Sequence, residues 1–529
     1  MTKKKPHNFV IVGGGTAGWI SALYIQYKIP TAKITLVESE SIGILGAGEG
    51  TTPAFITLLQ KLQIPLSRLI DETSSTMKNG IKFTNWTEPD RNYYHGFYTS
   101  DDVGLGAFDN PQYLPDTSLL LAHSQAKGES FDKINFCKDI SEVNKIPLYV
   151  HPEYGGQFIP DPLDKYFSHA YYANHFDAVA LAEFFKKVAV EERGIARIEG
   201  KIVGQTQAHN GDLSEVILES GEIIEGDFFI DCTGFARKFI GNVYESEWVS
   251  HRDALTVDSA MPFFLPIDEN VIPAYTESIA MKYGWMWKIP LQHRYGCGYV
   301  FDANYINEEE ARQEIMEMVG DQEITWPRET ALRFDPGYYK TPWVNNCISV
   351  GLSGTFVEPL EATSIWASII YLETAFKDIN GIIRRPQKYV EEFNEKAVRI
   401  SEDIYEFVYF HYMGGRTDTE FWAHYQDIEN APEKIKNMLS RWEEVIPTYT
   451  EFQNSIFPMQ SWVSVAAGLG HLNSELYKQV YGDNELPEGV DTDYHAFLEA
   501  KKEIAETMST HADFIKDLKN NRKDLIPAV

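Results

Sequence analysis

Two short blocks of this 529-residue chain carry side chains suited to electrophilic transfer. Lys78 stands in Met77-Lys78-Asn79-Gly80-Ile81-Lys82-Phe83, and Glu361 in Phe356-Val357-Glu358-Pro359-Leu360-Glu361-Ala362-Thr363-Ser364. An ammonium can hydrogen-bond the oxygen of an electrophile and sharpen its reactivity, and a neutral amine can carry the electrophile covalently. Substitution on an arene creates a cation that must lose a proton, and a nearby carboxylate supplies both field and base. A lysine taken alone is a solvated surface group, so the surrounding blocks are what single Lys78 out. Glu358 is read as favouring a helix N-terminus through the macrodipole, and Glu361 as the reacting acid.

The elements that must position these groups begin at the N-terminus. Phe9-Val10-Ile11-Val12 predicts a short strand, Gly13-Gly14-Gly15-Thr16-Ala17-Gly18 a loop, and Trp19 to Tyr27 an amphipathic helix. Lys33 to Val37 predicts a second strand, and it ends in Glu38, twenty residues after Gly18. This is a dinucleotide-binding βαβ unit: glycines let the backbone approach a pyrophosphate, the helix N-terminus faces its charge, and Glu38 accepts from a ribose. Gly13, Gly15, Thr16, Ala17, Gly18 and Glu38 are therefore the cofactor candidates.

Further along, Asp177 predicts the cap of a helix through Ala178, Leu181, Phe185 and Val188. Gly221 to Ile230 reads as one strand running into Asp231-Cys232-Thr233-Gly234, and Cys347 to Val350 as another running into Gly351-Leu352-Ser353-Gly354. A second helix start follows at Pro359 to Ser364. Residues 79–172 have little periodicity and read as insertions lining a pocket. From Arg384 the pattern turns helical, predicting domains 1–383 and 384–529, with Lys501 to Lys519 as an amphipathic surface helix. His175 reads as packing or capping beside Asp177, since no second ligand stands at metal-binding spacing. Gly351-Leu352-Ser353-Gly354-Thr355 lacks the last glycine of a nucleophile elbow.

Composition excludes several classes of function. With 43% hydrophobic residues the chain can build extensive cores, and a net charge of −30 repels nucleic acid, anionic membranes and polyanionic substrates. No apolar run is long enough to span a membrane and Met1 to Val10 lack a secretory core, which points to the cytoplasm. Cys137, Cys232, Cys297 and Cys347 are spaced for neither disulfides nor a metal site and are read as reduced.

Taken in order, the glycine loop, Gly46-Ala47-Gly48-Glu49-Gly50-Thr51, the Lys78 block, Asn174-His175-Phe176-Asp177-Ala178, Phe229 to Phe235, Gly284-Trp285-Met286-Trp287-Lys288-Ile289-Pro290 and Glu358 to Thr363 resemble the flavin-dependent tryptophan halogenase family over most of the chain. The resemblance implies an α/β fold, a Rossmann-type, flavin monooxygenase-like FAD-binding domain with mixed sheets, and a mainly helical C-terminal lobe. It also implies FADH2 from a separate NAD(P)H-dependent flavin reductase, O2 as co-substrate, and a halide (chloride, bromide or iodide) converted to hypohalous acid. In that scheme Lys78 captures or polarises the hypohalous acid, and Glu361 assists transfer to a small aromatic substrate and removes the ring proton. Thr363 and Ser364 match the pair whose backbone N–H groups hold halide. Gly48, Glu49 and Gly50 belong to the strap beside the flavin, Ile202 and Leu352 fall where apolar groups meet the cofactor, and Trp285 and Trp287 shape the flavin side.

Departures from the family narrow the substrate. Glu361 is followed by Ala362-Thr363-Ser364 where tryptophan-specific members have Ser-Thr-Gly, and Pro447 to Gly470, with Glu451, Phe457 and Trp462, lacks the tyrosine pair and tryptophan that clamp a free amino acid. An indole, phenol or other electron-rich aromatic is expected instead. The competing readings are a flavin aromatic hydroxylase and a non-catalytic FAD-binding redox protein; the oligomeric state, monomer or homo-oligomer, stays open.

Overall fold

In the computed structural model, residues 7–41, 48–97, 119–150, 157–158, 172–482 and 489–520 are described. They form two compact units through which the chain passes alternately: residues 1–64, 176–253 and 333–405 make the first, and 65–175, 254–332 and 406–529 the second. A single boundary at 384 was expected. Instead the long helix Gln387–His411 gives its first turns to the first unit, where Tyr389 and Phe393 pack edge-on against Trp343 at 5.9 and 5.3 Å.

The first unit is built on a six-stranded sheet ordered Ala196–Glu199, Lys33–Glu38, Asn8–Val12, Phe228–Asp231, Cys347–Ser349, Trp343–Val344. All neighbours are parallel except the last pair. The central strands are continuous apolar runs because both faces are covered, and Val10, Ile11 and Ile230 are fully buried. The expected strand over 221–230 divides in two. Ile223–Glu225 joins an antiparallel sheet with Ile202–Gln207 and Leu213–Leu218, whereas Phe228–Asp231 enters the main sheet. Gly226 makes the crossing, since a Cβ there would stand 2.7 Å from the Val10 side chain.

The second unit carries a seven-stranded sheet ordered Leu332–Arg333, Ser259–Leu265, Tyr295–Phe301, Gly284–Pro290, Thr276–Ala280, Gly80–Thr84, Asn92–Gly96. One face packs Met261, Phe263, Met286 and Tyr299 against Ala311 and Ile315 of the helix Glu308–Val319. Strand alternation turns Trp285 and Trp287 to the opposite face, where Trp287 occupies the space that a side chain on Gly298 would fill. Among the described residues every regular element from Gln387 onward is a helix, as the periodicity predicted. The stretch read as one surface helix over 501–519 is two, Val490–Thr507 and His511–Asn520, and it is not peripheral: Lys501 and His511 are buried. Lys501 pairs with Asp139 at 2.7 Å, so its cost of burial is met by a partner. No described helix is long and apolar enough to cross a membrane.

Candidate functional site

The parallel strands of the first unit end level with one another: Val12 is in register with Val37 and Asp231, and Asp231 with Ser349. Open α/β sheets bind ligands in the crevice beyond these carboxyl ends. Gly13 lies there at φ +116°, its N–H donating to Val37 O at 2.8 Å, and a Cβ on it would collide with Cys232 O. The helix Thr16–Lys28 then begins at Gly15 with no side-chain cap and no acidic residue in its first turn. No described atom lies within 4 Å of where a Cβ on Gly15 would stand. N–H groups at the start of this helix that no side chain caps, beside a glycine with open space at its Cβ position, suit a pyrophosphate, so this cradle fits the FAD that the glycine loop implies.

Glu38 leaves the second strand beside Gly14, which has room for no side chain of its own. Arg197, from the adjacent strand, donates to Glu38 Oε1 at 2.5 Å and to Glu40 Oε1 at 2.8 Å, which orients the Glu38 carboxylate. Asp231 is fully buried and accepts from Thr233 N, Thr233 Oγ1, Phe239 N and Ile240 N at 2.7 to 3.2 Å, which shapes the Asp231-Cys232-Thr233-Gly234 turn. The Gly351–Ser353 turn closes the crevice: Gly351 sits at φ +79° with no space for a Cβ against Ala17, and Leu352 stays half-buried between Gly351 and Ser353. Ile202 is buried in the apolar cluster that also holds Val12 and Val37 from the strand ends, together with Leu213, Val216 and Leu218.

Of the strap, Gly46 and Ala47 lie outside the described residues, and Gly48–Gly50 form a short strand. Glu49 keeps some accessible surface, yet burial, and secondarily the charge of Asp177, push its carboxyl up to about 7. Asp177 itself caps the helix Ala178–Lys187 by accepting from Val179 N and Ala180 N at 2.9 and 3.1 Å.

Glu361 belongs to the same unit, and its backbone is unusual. Glu361 (φ 65°, ψ 5°) and Ala362 (φ 55°, ψ 37°) are consecutive left-handed residues, neither of them glycine, at the entrance to the helix Thr363–Ala375. Such residues each cost on the order of 1–2 kcal/mol and persist where surrounding structure holds them. Glu361 is 5% exposed and Glu358 is fully buried, so neither acts as a solvated helix-terminal charge. Thr363 and Ser364 are the first two helical positions, whose N–H groups have no acceptor within the helix.

Lys78 belongs to the second unit. It ends the strand Thr76–Lys78, which pairs antiparallel with Ala173–Asp177 so that Lys78 faces Ala173 and Thr76 faces His175. Lys78 is 1% exposed, with its ammonium 5.2 Å from the centroid of the Phe97 ring. His175 is not a metal ligand here: its Nδ1 meets Thr76 Oγ1 at 3.1 Å and its Nε2 meets Thr276 Oγ1 at 2.9 Å. Thr76 Oγ1 donates to Pro290 O at 2.7 Å, so it accepts from Nδ1–H. Burial, followed by the charge of Lys78, holds the His175 pKa well below the usual range.

Comparison with known proteins places the chain in a family. The family model described as tryptophan halogenase matches residues 8–482. The chain belongs to the tryptophan halogenase family. It is 29% identical over 97% of its length to the tryptophan 7-halogenase RebH of Lentzea aerocolonigenes, 98% of which is matched. It is 30% identical over 87% of its length to 89% of the tryptophan 6-halogenase ThaL of Streptomyces albogriseolus. BrvH, a flavin-dependent halogenase from Brevundimonas sp. BAL3, superposes with a TM-score of 0.81 at 27% identity, over 98% of this chain and 100% of that one. A tryptophan halogenase of Shewanella frigidimarina, 23% identical, shares the fold with a TM-score of 0.85 over 98% of both chains.

Several neighbours of the candidate residues escape sequence reasoning. Arg197 reaches Glu38 only because two strands far apart in sequence are neighbours. Phe97, just past the strand Asn92–Gly96, becomes Lys78's aromatic neighbour through the antiparallel pairing of that strand with Gly80–Thr84, and the lone His511 carries no motif at all. In the C-terminal region, Phe457 stacks on Phe407 at 4.0 Å and Trp462 lies edge-on to it at 4.9 Å, both buried. Glu451 closes a capping box with Thr448. All three are engaged in packing and helix termination. The four cysteines are free thiols, and burial pushes that of Cys137 up to about 12.

Proposed function

We propose that this protein is a two-component, flavin-dependent halogenase that transfers halogen from hypohalous acid to an electron-rich arene of indole or phenol type. Gly13, Gly15, Thr16, Ala17 and Gly18 hold the FAD pyrophosphate, Glu38 the ribose, and Gly48, Glu49, Gly50 and Leu352 line the cofactor. Reduced FAD, delivered from a separate reductase, supplies the electrons with which O2 and halide yield hypohalous acid. The N–H groups of Thr363 and Ser364 bind the halide, with the helix dipole behind them. Lys78 hydrogen-bonds the oxygen of the hypohalous acid and passes its proton to it; the O–X bond breaks as the C–X bond forms, and the oxygen leaves as water. Glu361 takes the ring proton, which balances the step. Ile202 offers the cofactor an apolar group from the cluster it shares with Val12 and Val37.

The observation that carries this reading is the burial of Lys78. An ammonium is seldom enclosed without a partner, because its desolvation is expensive, and this one stands in the block that resembles the family's reacting lysine. The core commitment of Phe457 and Trp462 favours an arene without an amino-acid backbone to clamp.

The test combines purified protein, a flavin reductase, FAD, each halide in turn, and a panel of indoles and phenols. Products heavier by one halogen are expected, and Lys78→Ala is expected to abolish them while FAD binding is kept. A halide-independent gain of one oxygen atom, or FAD binding without any product, would overturn the halogenase reading. Halogenation that persists in Lys78→Ala would remove the role of that lysine.

A further inference from the structure

We propose that His511 is a positioning residue that holds the strand carrying Lys78 in place, an inference that rests on the role given to Lys78 above. The strand has only three residues, Thr76–Lys78, and Ala173–Asp177 pairs with one of its edges. On the other side, the Met77 N–H donates to His511 Nε2 at 2.8 Å. The other ring nitrogen, Nδ1, meets Pro273 O at 3.1 Å. A carbonyl only accepts, so Nδ1 carries the proton and Nε2 keeps its lone pair. Burial lowers the ring's pKa to about 4, which keeps it in this neutral form.

The residue after Lys78 is tied to the same segment. Asn79 N–H donates to Ala274 O at 2.6 Å. The amides on either side of Lys78 are thus anchored to consecutive residues, Pro273 and Ala274, one through an imidazole and one directly. The imidazole does what a neighbouring strand would otherwise do: it satisfies a buried amide and sets the distance between two backbones. It is itself fixed, being fully buried at the start of the helix His511–Asn520, with its own N–H on Asn144 O at 2.8 Å. A reacting amine must be placed to within a fraction of an ångström, and a displacement of about 1 Å costs roughly a hundredfold in rate.

The test compares three quantities in each variant: kcat and KM for a halogenated indole product, hypohalous acid released to an excess of a small 1,3-diketone scavenger, and the melting temperature. His511→Leu is expected to lower kcat by about 10- to 100-fold at unchanged KM, while scavenger-trapped oxidant stays at the level of the unmodified protein. His511→Gln, whose amide can accept from Met77 and donate to Pro273, is expected to restore most of the product rate. Should His511→Leu fail to fold, His511→Asn, too short to span both partners, takes its place with the same expected loss. Unchanged product formation in His511→Leu, or a folded His511→Gln no better than His511→Leu, overturns the proposal. Lys78→Ala separates the two readings. If it still halogenates, the Lys78 assignment falls; if it is inactive while His511→Leu is fully active, only the His511 assignment falls.

Discussion

Single ionisable side chains set how this protein responds to pH, and two of them act in opposite senses. Burial raises Glu49 from an ordinary carboxyl value to about 7, so the fold prefers its protonated form. That contribution is complete below about 4.5 and is lost as pH rises through about 7; at most it amounts to about 3 kcal/mol. Glu49→Gln is therefore expected to raise the melting temperature of FAD-free protein at pH 8 and to change it little at pH 5, as read by calorimetry. His511 works the other way. Its folded pKa of about 4 lies below the ordinary histidine value, so its stabilisation is present above about 6.5 and lost as pH falls toward 4. Melting temperature is expected to fall across that window, with a flatter slope in His511→Gln. For the chemistry, Glu361→Gln is expected to lower halogenation by about 10²- to 10⁴-fold, the usual weight of a positioned base, in single-turnover product measurements.

At the level of elements, the entrance to the helix Thr363–Ala375 holds strain that a glycine would relieve. Ala362 at φ 55° is expected to be replaced by glycine with a gain in stability on the order of 1 kcal/mol, seen as a higher denaturation midpoint. The same change loosens the turn that aims Glu361, so kcat is expected to drop even as the protein becomes harder to unfold. Gly13→Ala tests the other end of the crevice. Because a Cβ would collide with Cys232 O, it is expected to abolish FAD binding by fluorescence titration while the rest of the sheet survives.

For the molecule as a whole, the interleaved units forbid a clean division at residue 383. Trp343 needs Tyr389 and Phe393, and Tyr371 packs on Phe393 at 5.7 Å. A 1–383 fragment is expected to lose cooperative unfolding, with a featureless near-ultraviolet dichroism spectrum. The net charge of −30 adds a self-repulsion that salt screens, so moderate ionic strength is expected to raise the melting temperature.

What the sequence determined was local. The apolar strand runs, the glycine loop with Glu38 at its proper interval, the Asp177 cap and the helical C-terminal stretch were legible because period and steric rules operate within a window of a few residues to a few tens. The family, too, was readable from motif order. Tertiary structure decided the rest: the sheet change at Gly226, Arg197 on Glu38, the left-handed pair at Glu361 and Ala362, and the passage of the chain back and forth between two units. Met77 and His511 are 434 positions apart, and no local pattern announces that they bond. Such partners are selected by which surfaces can be buried together and which buried amides remain to be satisfied, and both are properties of the folded chain.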